Sequence, residues 1–137
     1  MKMLSNASTL YFSLYCFFIA CAGSAQASEP ETTRALDGTE IRYMYTSGRS
    51  YHVKFAVEGV SYRYLTGSKP ERWWGPFPYQ AMLVDNNRYF ASWFEQGYGD
   101  YVTLLINFDA QEIHGSAIIG GNEVHFHKAD LLTVVRP

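Results

Sequence analysis

Alternation of apolar and polar residues along short segments is the sequence feature that most constrains this fold. From Ile41 onward, apolar side chains recur at every second position, and turn-forming residues interrupt the pattern every six to ten positions. Side chains two apart in a strand share a face, so the pattern indicates strands with one face turned to a core. No segment shows a convincing helical period. The predicted strands are Ile41–Thr46, Ser50–Val57, Val60–Thr66, Tyr79–Val84, Arg88–Phe94, Tyr101–Phe108, Glu112–Ile119, Asn122–His127 and Leu131–Val135.

The connections between these strands carry hairpin turn signals. Examples are Ser47-Gly48, Asp85-Asn86-Asn87 and Gly120-Gly121. Eight or nine short strands joined by such turns are typical of an all-β barrel or sandwich. We therefore expect one antiparallel all-β domain over residues 38–137.

One section, Lys69–Pro78, does not follow the alternation. Its three prolines exclude a central strand, and its aromatic residues indicate that it packs down as a lid or rim. The pair Trp73-Trp74 leaves two alternatives open, carbohydrate binding or packing beneath this loop, of which packing is the more common role.

Residues 1–27 have the features of a secretory signal peptide. A positively charged start precedes the apolar run Leu10–Ala22, and small residues follow up to Ala27. The alternative is a membrane span, but the run is shorter than the roughly 20 residues that a bilayer requires. Cleavage after Ala27 predicts a periplasmic or secreted protein with a flexible tail over residues 28–37.

Charge and cysteine content limit the partners and the chemistry. Cys16 and Cys21 both lie in the leader, so the mature chain would have no thiol for disulfides, nucleophilic catalysis or metal binding. Cys21 loosely resembles a lipoprotein processing site, and we expect membrane contact only if it is lipidated. The net charge is −2 with no basic run, so nucleic acid is not an expected partner.

Strand parity singles out one carboxylate. Glu95 follows Trp93, Ala91 and Tyr89 on a face that is otherwise apolar and aromatic, so its side chain is expected to point inward. An inward carboxylate is costly unless it is protonated or paired, and Arg63 is the natural partner. The alternative is that both residues are solvated or form an ordinary ion pair.

An ordered set of motifs resembles the bacterial phenolic acid decarboxylases. The resemblance covers roughly Gly38 to Asp130 and extends in part to MoaF-like domains. Its elements, in order, are Tyr43-Met-Tyr45-Thr-Ser-Gly48-Arg-Ser-Tyr51, Tyr62-Arg63, Gly67, Arg72-Trp73, Tyr89, Ser92-Trp93-Phe94-Glu95, Asp100-Tyr-Val102 and His114-Gly115. The resemblance implies a single calycin or lipocalin-like barrel of eight to nine strands, an active site in its interior, and no metal or organic cofactor.

The resemblance also assigns the site residues and their chemistry. Decarboxylation of a 4-hydroxycinnamate requires a proton donor of near-neutral pKa, and Glu95 is the candidate. Fixed donors must hold a carboxylate or phenolate, and aromatic walls must clamp the ring. The predicted catalytic residues are Glu95, Arg63, Tyr43 and Tyr45, and the predicted substrate-binding residues are Tyr51, Trp93 and Tyr89.

Two histidines on one predicted strand raise the alternative of a metal site. His125 and His127 share a strand face, but a cupin-like set needs a further glutamate just downstream and a third histidine on a later strand. We expect these histidines to point outward and predict no metal.

Two classes of function follow. The first is a cofactor-free decarboxylase of 4-hydroxycinnamic acids, which releases CO₂ and gives vinylphenols. The alternative is a non-catalytic exported calycin or MoaF-like domain that binds a small aromatic or anionic ligand, or that acts as a surface interaction domain. The expected partner is a small aromatic carboxylic acid, and a homodimer, typical of the family, is left open.

Overall fold

The computed structural model describes residues 28–68 and 71–137, and within these ranges the chain is all-β, with no helix. The predicted signal peptide over residues 1–27 lies outside the described residues. The strands are β1 (Glu40–Tyr45), β2 (Ser50–Ala56), β3 (Gly59–Tyr64), β4 (Trp73–Phe77), β5 (Tyr79–Asp85), β6 (Arg88–Glu95), β7 (Asp100–Asn107), β8 (Glu112–Ile119) and β9 (Glu123–Val135).

All nine strands belong to one antiparallel sheet in the order β4-β3-β2-β1-β9-β8-β7-β6-β5. The two edge strands, β4 and β5, are separated in sequence by Pro78 alone, and β4 also contacts β6. The sheet therefore curls until its edges approach each other, which gives a nearly closed barrel. The expected all-β barrel is confirmed. No helix in the described ranges has the length and apolar content to cross a membrane.

Two strands differ from the sequence prediction. β4 forms inside the proline-rich section because it pairs with β3 alone, so Pro76 and Pro78 do not interrupt a central ladder. The register shifts between Val60 and Tyr62 accommodate the irregular edge. β9 is one continuous strand and not two, because its first half pairs with β8 and its second half with β1.

The segment before β1 is part of the fold, which corrects the expectation of a flexible tail over residues 28–37. Thr32 forms a bridge with Met82, and Leu36 is fully buried. Arg34 donates hydrogen bonds to the carbonyl oxygens of Ala56 and Val57 at 2.9 and 3.1 Å. These contacts place the segment across one end of the barrel, where it covers the core.

The barrel interior is divided along its axis. The end that the N-terminal segment covers is mainly apolar, and we call it the dry end; its most enclosed side chains are at most 2% exposed. Its members include Leu36, Ile41, Val53, Phe55, Val60, Ile106 and Ile113. The opposite end, at the β1–β2 and β6–β7 connections, is lined mainly by aromatic and polar side chains. We call this end the mouth.

Candidate functional site

Four tyrosines line one side of the mouth because the register of β1, β2 and β3 stacks them. Tyr43 pairs with Tyr51, and Tyr51 pairs with Tyr64, so all three side chains share the inner face. Tyr45 lies two positions after Tyr43 on the same face, and the two hydroxyl oxygens are 3.5 Å apart. The Tyr51 ring is 4.8 Å from that of Tyr64 and 5.4 Å from that of Tyr45. The tyrosine pair predicted from sequence therefore forms one cluster with Tyr51.

Glu95 lies at the same end, at the last position of β6, and is only 3% exposed. The Tyr62 hydroxyl donates a hydrogen bond to Glu95 Oε2 at 2.8 Å, and the Trp93 indole donates one to Oε1 at 3.2 Å. Burial raises the pKa of Glu95, and these two hydrogen bonds only partly oppose it. The inward orientation that strand parity predicts is thus observed, and the carboxyl is suited to hold a proton.

Tyr62 connects the carboxyl to the tyrosine cluster, although sequence analysis gave it no role. It pairs with Val53 on the inner face of β3, and its ring lies 6.2 Å from that of Tyr51 and 6.4 Å from that of Trp74. Burial and the adjacent Glu95 carboxylate raise the pKa of Tyr62.

The phenols of this cluster remain proton donors across the ordinary pH range. Burial raises the pKa of Tyr43 well above its usual value, and the nearby Tyr45 adds to the effect. Burial also raises the pKa of Tyr45 and of Tyr51. These hydroxyl groups are therefore neutral, and those of Tyr43 and Tyr45 are within hydrogen-bond distance of each other.

Arg63 does not join this site, and the expectation that it lies in the interior is corrected. It pairs with His52 on β2 and with Trp73 on β4, one position out of phase with the inward Tyr62. Its guanidinium lies over the Trp73 ring at 5.1 Å on the outer face of the barrel. Because strand faces alternate, Tyr62 and Arg63 cannot both point inward without a bulge between them.

The two predicted wall residues on β6 have different positions. Trp93 is buried beside Glu95 and belongs to the site. Tyr89 is also buried, but it lies six positions before Glu95 in β6, about 20 Å from it. There it accepts a hydrogen bond from Arg136 and its ring packs 5.8 Å from that of Phe108. The structure therefore does not bring Tyr89 together with Glu95 and Trp93, and its role in ligand binding stays a prediction.

The two histidines of β9 follow the inward register of the strand, not the outward one expected, but His125 is exposed at the rim and only His127 is half-buried. His125 pairs with the buried Ala117, and His127 pairs with Gly115, which places both on the inner face. The His127 ring is 4.7 Å from that of Tyr45. Burial lowers the pKa of His127, and the charges of His125 and Arg49 lower it further, so this imidazole is neutral near pH 7. No group of three or more His, Cys, Asp or Glu residues suited to a metal ion occurs in the described ranges.

A groove of about 630 Å³ opens at the mouth. Two of its walls are the rings of Tyr64 and Trp74, which stand nearly perpendicular with their centroids 6.5 Å apart. Its described lining residues are Ser47, Gly48, Arg49, Tyr64, Thr66, Gly67, Ser68 and Trp74. Neither Glu95 nor its hydrogen-bond partner Tyr62 is among these lining residues.

Trp74 and Tyr98 close the mouth on the side where the barrel edges meet. Their rings are 5.0 Å apart, and Arg72 lies over the Trp74 ring at 3.8 Å. Arg72 also donates a hydrogen bond to the Tyr98 hydroxyl at 3.3 Å. The described part of the proline-rich section, residues 71–78, thus packs as a rim, as its aromatic content predicts, and Trp74 has a packing role.

The comparisons with known proteins extend to the fold alone. No protein-family model and no curated protein matches this sequence. A crystal structure described as "a putative beta-lactamase from Burkholderia vietnamiensis" is similar in three dimensions, with a TM-score of 0.63. The match covers 79% of this chain and 100% of that chain at 16% sequence identity. This identity supports a shared barrel architecture and nothing finer.

Proposed function

We propose that this barrel binds a small aromatic ligand at its mouth. The observation that carries the proposal is the groove, whose walls Tyr64 and Trp74 are part of the aromatic cluster that continues inward to Glu95. Its volume lies within the range of about 300–1,000 Å³ that is typical of small-molecule sites. Perpendicular aromatic walls favour a flat ring, which can stack on one wall and meet the other edge-on.

The chemistry of the cluster favours a ligand with oxygen substituents. Several neutral hydroxyl groups converge at the mouth, and Glu95 adds a carboxyl whose pKa burial raises. Such groups pair with phenol, carbonyl or carboxylate oxygens, whereas a purely hydrocarbon ligand would leave them without partners.

Decarboxylation of 4-hydroxycinnamic acids is the second candidate function, and the buried Glu95 carboxyl, whose pKa burial raises, is the observation that favours it. In this reaction the Glu95 carboxyl gives its proton to the alkene carbon next to the carboxylate, and the phenol loses its own proton. The quinone methide that results then breaks the bond to the carboxylate, and CO₂ leaves. The released electron pair restores the aromatic ring and the vinyl group. The phenolic proton passes to solvent in the first step, and solvent then returns one proton to the phenolate and one to Glu95.

The outward position of Arg63 changes what this second candidate requires. Without an interior guanidinium from Arg63, the tyrosine hydroxyls must hold the ligand oxygens. A carboxylate among neutral donors in a dry slot is poorly solvated, which favours its loss as CO₂. The second candidate therefore depends on Glu95 and the tyrosines and does not depend on Arg63.

Binding and turnover separate the two candidates. We expect p-coumarate, ferulate or caffeate to quench the tryptophan fluorescence of the purified protein, since Trp74 forms a wall of the groove and Trp93 lies beneath it. Loss of cinnamate absorbance with release of CO₂ would establish the decarboxylase. Glu95→Gln should abolish turnover, while Glu58→Gln, in an exposed turn at the other end of the barrel, should leave it unchanged.

Each outcome has a definite meaning for these candidates. Binding without turnover of any of the three acids overturns the decarboxylase and supports the binding function. Turnover that survives Glu95→Gln removes Glu95 as the acid. Neither binding nor turnover with these acids or with their neutral amides overturns the proposed aromatic site.

A further inference from the structure

We propose that Arg49 recognises a carboxylate at the outer rim of the groove, so that the preferred ligand is an aromatic carboxylate bound with its acid group at the mouth. This inference rests on the proposed binding function and specifies its ligand class. Neither strand parity nor the family resemblance assigned a role to Arg49, which the fold places beside residues distant in sequence.

The backbone around Arg49 is held firmly at the rim. Its carbonyl accepts a hydrogen bond from Tyr45 N–H at 2.8 Å, and Gly48 N–H donates to the Tyr45 carbonyl at 2.8 Å, which closes a tight hairpin. Gly48 has φ +83°, a conformation that favours glycine. This turn fixes the backbone position of Arg49, whose side chain lines the groove.

The segment 65–68, which provides other lining residues of the groove, is hydrogen-bonded to the same hairpin. Ser50 N–H donates to Thr66 Oγ1 at 3.0 Å, and Leu65 N–H donates to the Ser50 carbonyl at 2.9 Å. Because Thr66 Oγ1 already accepts one hydrogen bond, its own O–H can donate to a ligand. Thr66 and Ser68 thus add hydroxyl groups to the wall opposite Arg49.

The charge of Arg49 has no counterpart at the rim. It is the one charged residue among the described residues that line the groove, and no carboxylate of the described chain lies within ion-pair distance of it. Arg34 and Arg88, in contrast, pair with Asp37 and Asp85. An arginine that faces a groove without an internal carboxylate is suited to a carboxylate of a ligand, which its planar guanidinium binds in a bidentate manner.

The charge of Arg49 also affects the pKa values of groups in and beside the tyrosine cluster. Its positive charge acts to lower the pKa of Tyr51, in opposition to burial. It also acts on His127, which contacts Tyr45. A carboxylate on Arg49 would therefore meet neutral hydrogen-bonding groups on its inner side, while the attached ring lies against the faces that Tyr64 and Trp74 turn to the groove.

This orientation discriminates between the two candidate functions. A carboxylate held by a guanidinium at the rim is stabilised in its charged form and is remote from the buried Glu95 carboxyl. Such a ligand is bound and not decarboxylated, so the inference favours the binding function. A decarboxylase requires the opposite orientation, with the carboxylate in the dry interior.

The test compares an acid with its neutral isostere. Dissociation constants for cinnamate and cinnamamide at pH 7 are measured by tryptophan fluorescence and calorimetry on wild type, Arg49→Gln, Arg49→Lys and the control Arg42→Gln. Arg42 is an exposed arginine on the outer face of β1, so its removal matches the charge change without touching the groove.

We expect wild type and Arg42→Gln to bind cinnamate at least tenfold more tightly than cinnamamide, because a hydrogen bond to a charged group contributes roughly a tenfold to hundredfold gain in affinity. Arg49→Gln should lose this preference while its affinity for cinnamamide stays the same, and Arg49→Lys should recover part of it. Equal loss of both ligands in Arg49→Gln would indicate a structural role and overturn the proposal.

Two further outcomes also count against the proposal. If wild type binds both ligands equally, or binds p-coumarate but not cinnamate, the carboxylate is not the anchor, yet the aromatic site stands. If wild type binds none of these probes, the proposed function fails and this inference fails with it.

Discussion

The two ends of this barrel are built from the same nine strands but differ in what fills them. At the covered end, aliphatic side chains and Phe55 pack with almost no exposed area, and the N-terminal segment places Leu36 over them. At the mouth, tyrosines and Glu95 replace the aliphatic residues, and a groove opens between Tyr64 and Trp74. One end provides the free energy of folding, and the other keeps polar groups available for a ligand.

The polar side chains buried at the mouth lower the stability of the fold, and packing at the dry end must offset this loss. Burying hydroxyl and carboxyl groups is unfavourable unless each finds a partner, and the mouth supplies such partners at Glu95 through Tyr62 and Trp93. A chain of this size has a small margin of stability, so a polar end is tolerated only above a well-packed core.

The largest expected effect is on the dry end. Phe55→Ala should lower the free energy of unfolding by about 3–5 kcal/mol, because it removes a fully enclosed ring and leaves a cavity. Tyr64→Ala, at the half-buried mouth, should cost less than half as much. Urea denaturation followed by circular dichroism measures both. Equal losses at the two positions would contradict the division of the barrel.

The N-terminal segment provides the next test. Leu36→Ala should cost about 2–5 kcal/mol, since Leu36 is fully buried against the core. Glu31→Ala, an exposed position in the same segment, should change stability by less than about 0.5 kcal/mol. If Leu36→Ala is as mild as Glu31→Ala, the segment does not cover the barrel in solution.

The pH dependence of stability tests the mouth. Because burial raises the pKa of Glu95 in the folded protein, the folded state binds a proton more tightly than the unfolded state. The contribution of Glu95 to stability is therefore fully present below its unfolded pKa of about 4.5 and is lost as the pH rises through the folded pKa.

Comparison with Glu95→Gln isolates this contribution. Relative to Glu95→Gln, the free energy of unfolding of wild type should fall as the pH rises above about 4.5, by at most about 1.4 kcal/mol per pH unit. Denaturation curves from pH 4 to 8 provide the measurement. A difference that is constant with pH would show that the carboxyl is not desolvated.

The smallest expected effect is at Arg63. Arg63→Gln should leave affinity and any turnover of p-coumarate within about twofold of wild type, because the guanidinium stacks on Trp73 outside the barrel. Stability should fall by about 1 kcal/mol, within the usual contribution of a cation–π contact at a partly exposed site. A loss of function comparable to that of Glu95→Gln would place Arg63 inside and contradict the register of β3.

Local alternation in the sequence was enough to predict the strands that follow a simple pattern. In β6, every inward position carries Tyr89, Ala91, Trp93 or Glu95, so the inward direction of Glu95 follows from its neighbours alone. The same parity places Tyr43 and Tyr45 on the face of Ile41, as observed. A break was expected within β9 because polar residues interrupt its apolar pattern, and β4 was missed because prolines interrupt its pattern. Hydrogen bonding to neighbouring strands nevertheless maintains both strands.

The composition of the site depended on pairing between strands, which alternation does not specify. Parity shows that Tyr62 and Arg63 lie on opposite faces, but only the register of Val53 with Tyr62 decides which one enters the barrel. The same long-range register brings Arg49, His127 and Trp74 to one mouth and sends Tyr89 to the other end. The sequence by itself thus determined an all-β chain with an inward carboxyl. The tertiary structure decided which side chains surround that carboxyl, because contacts between distant strands are absent from any local pattern.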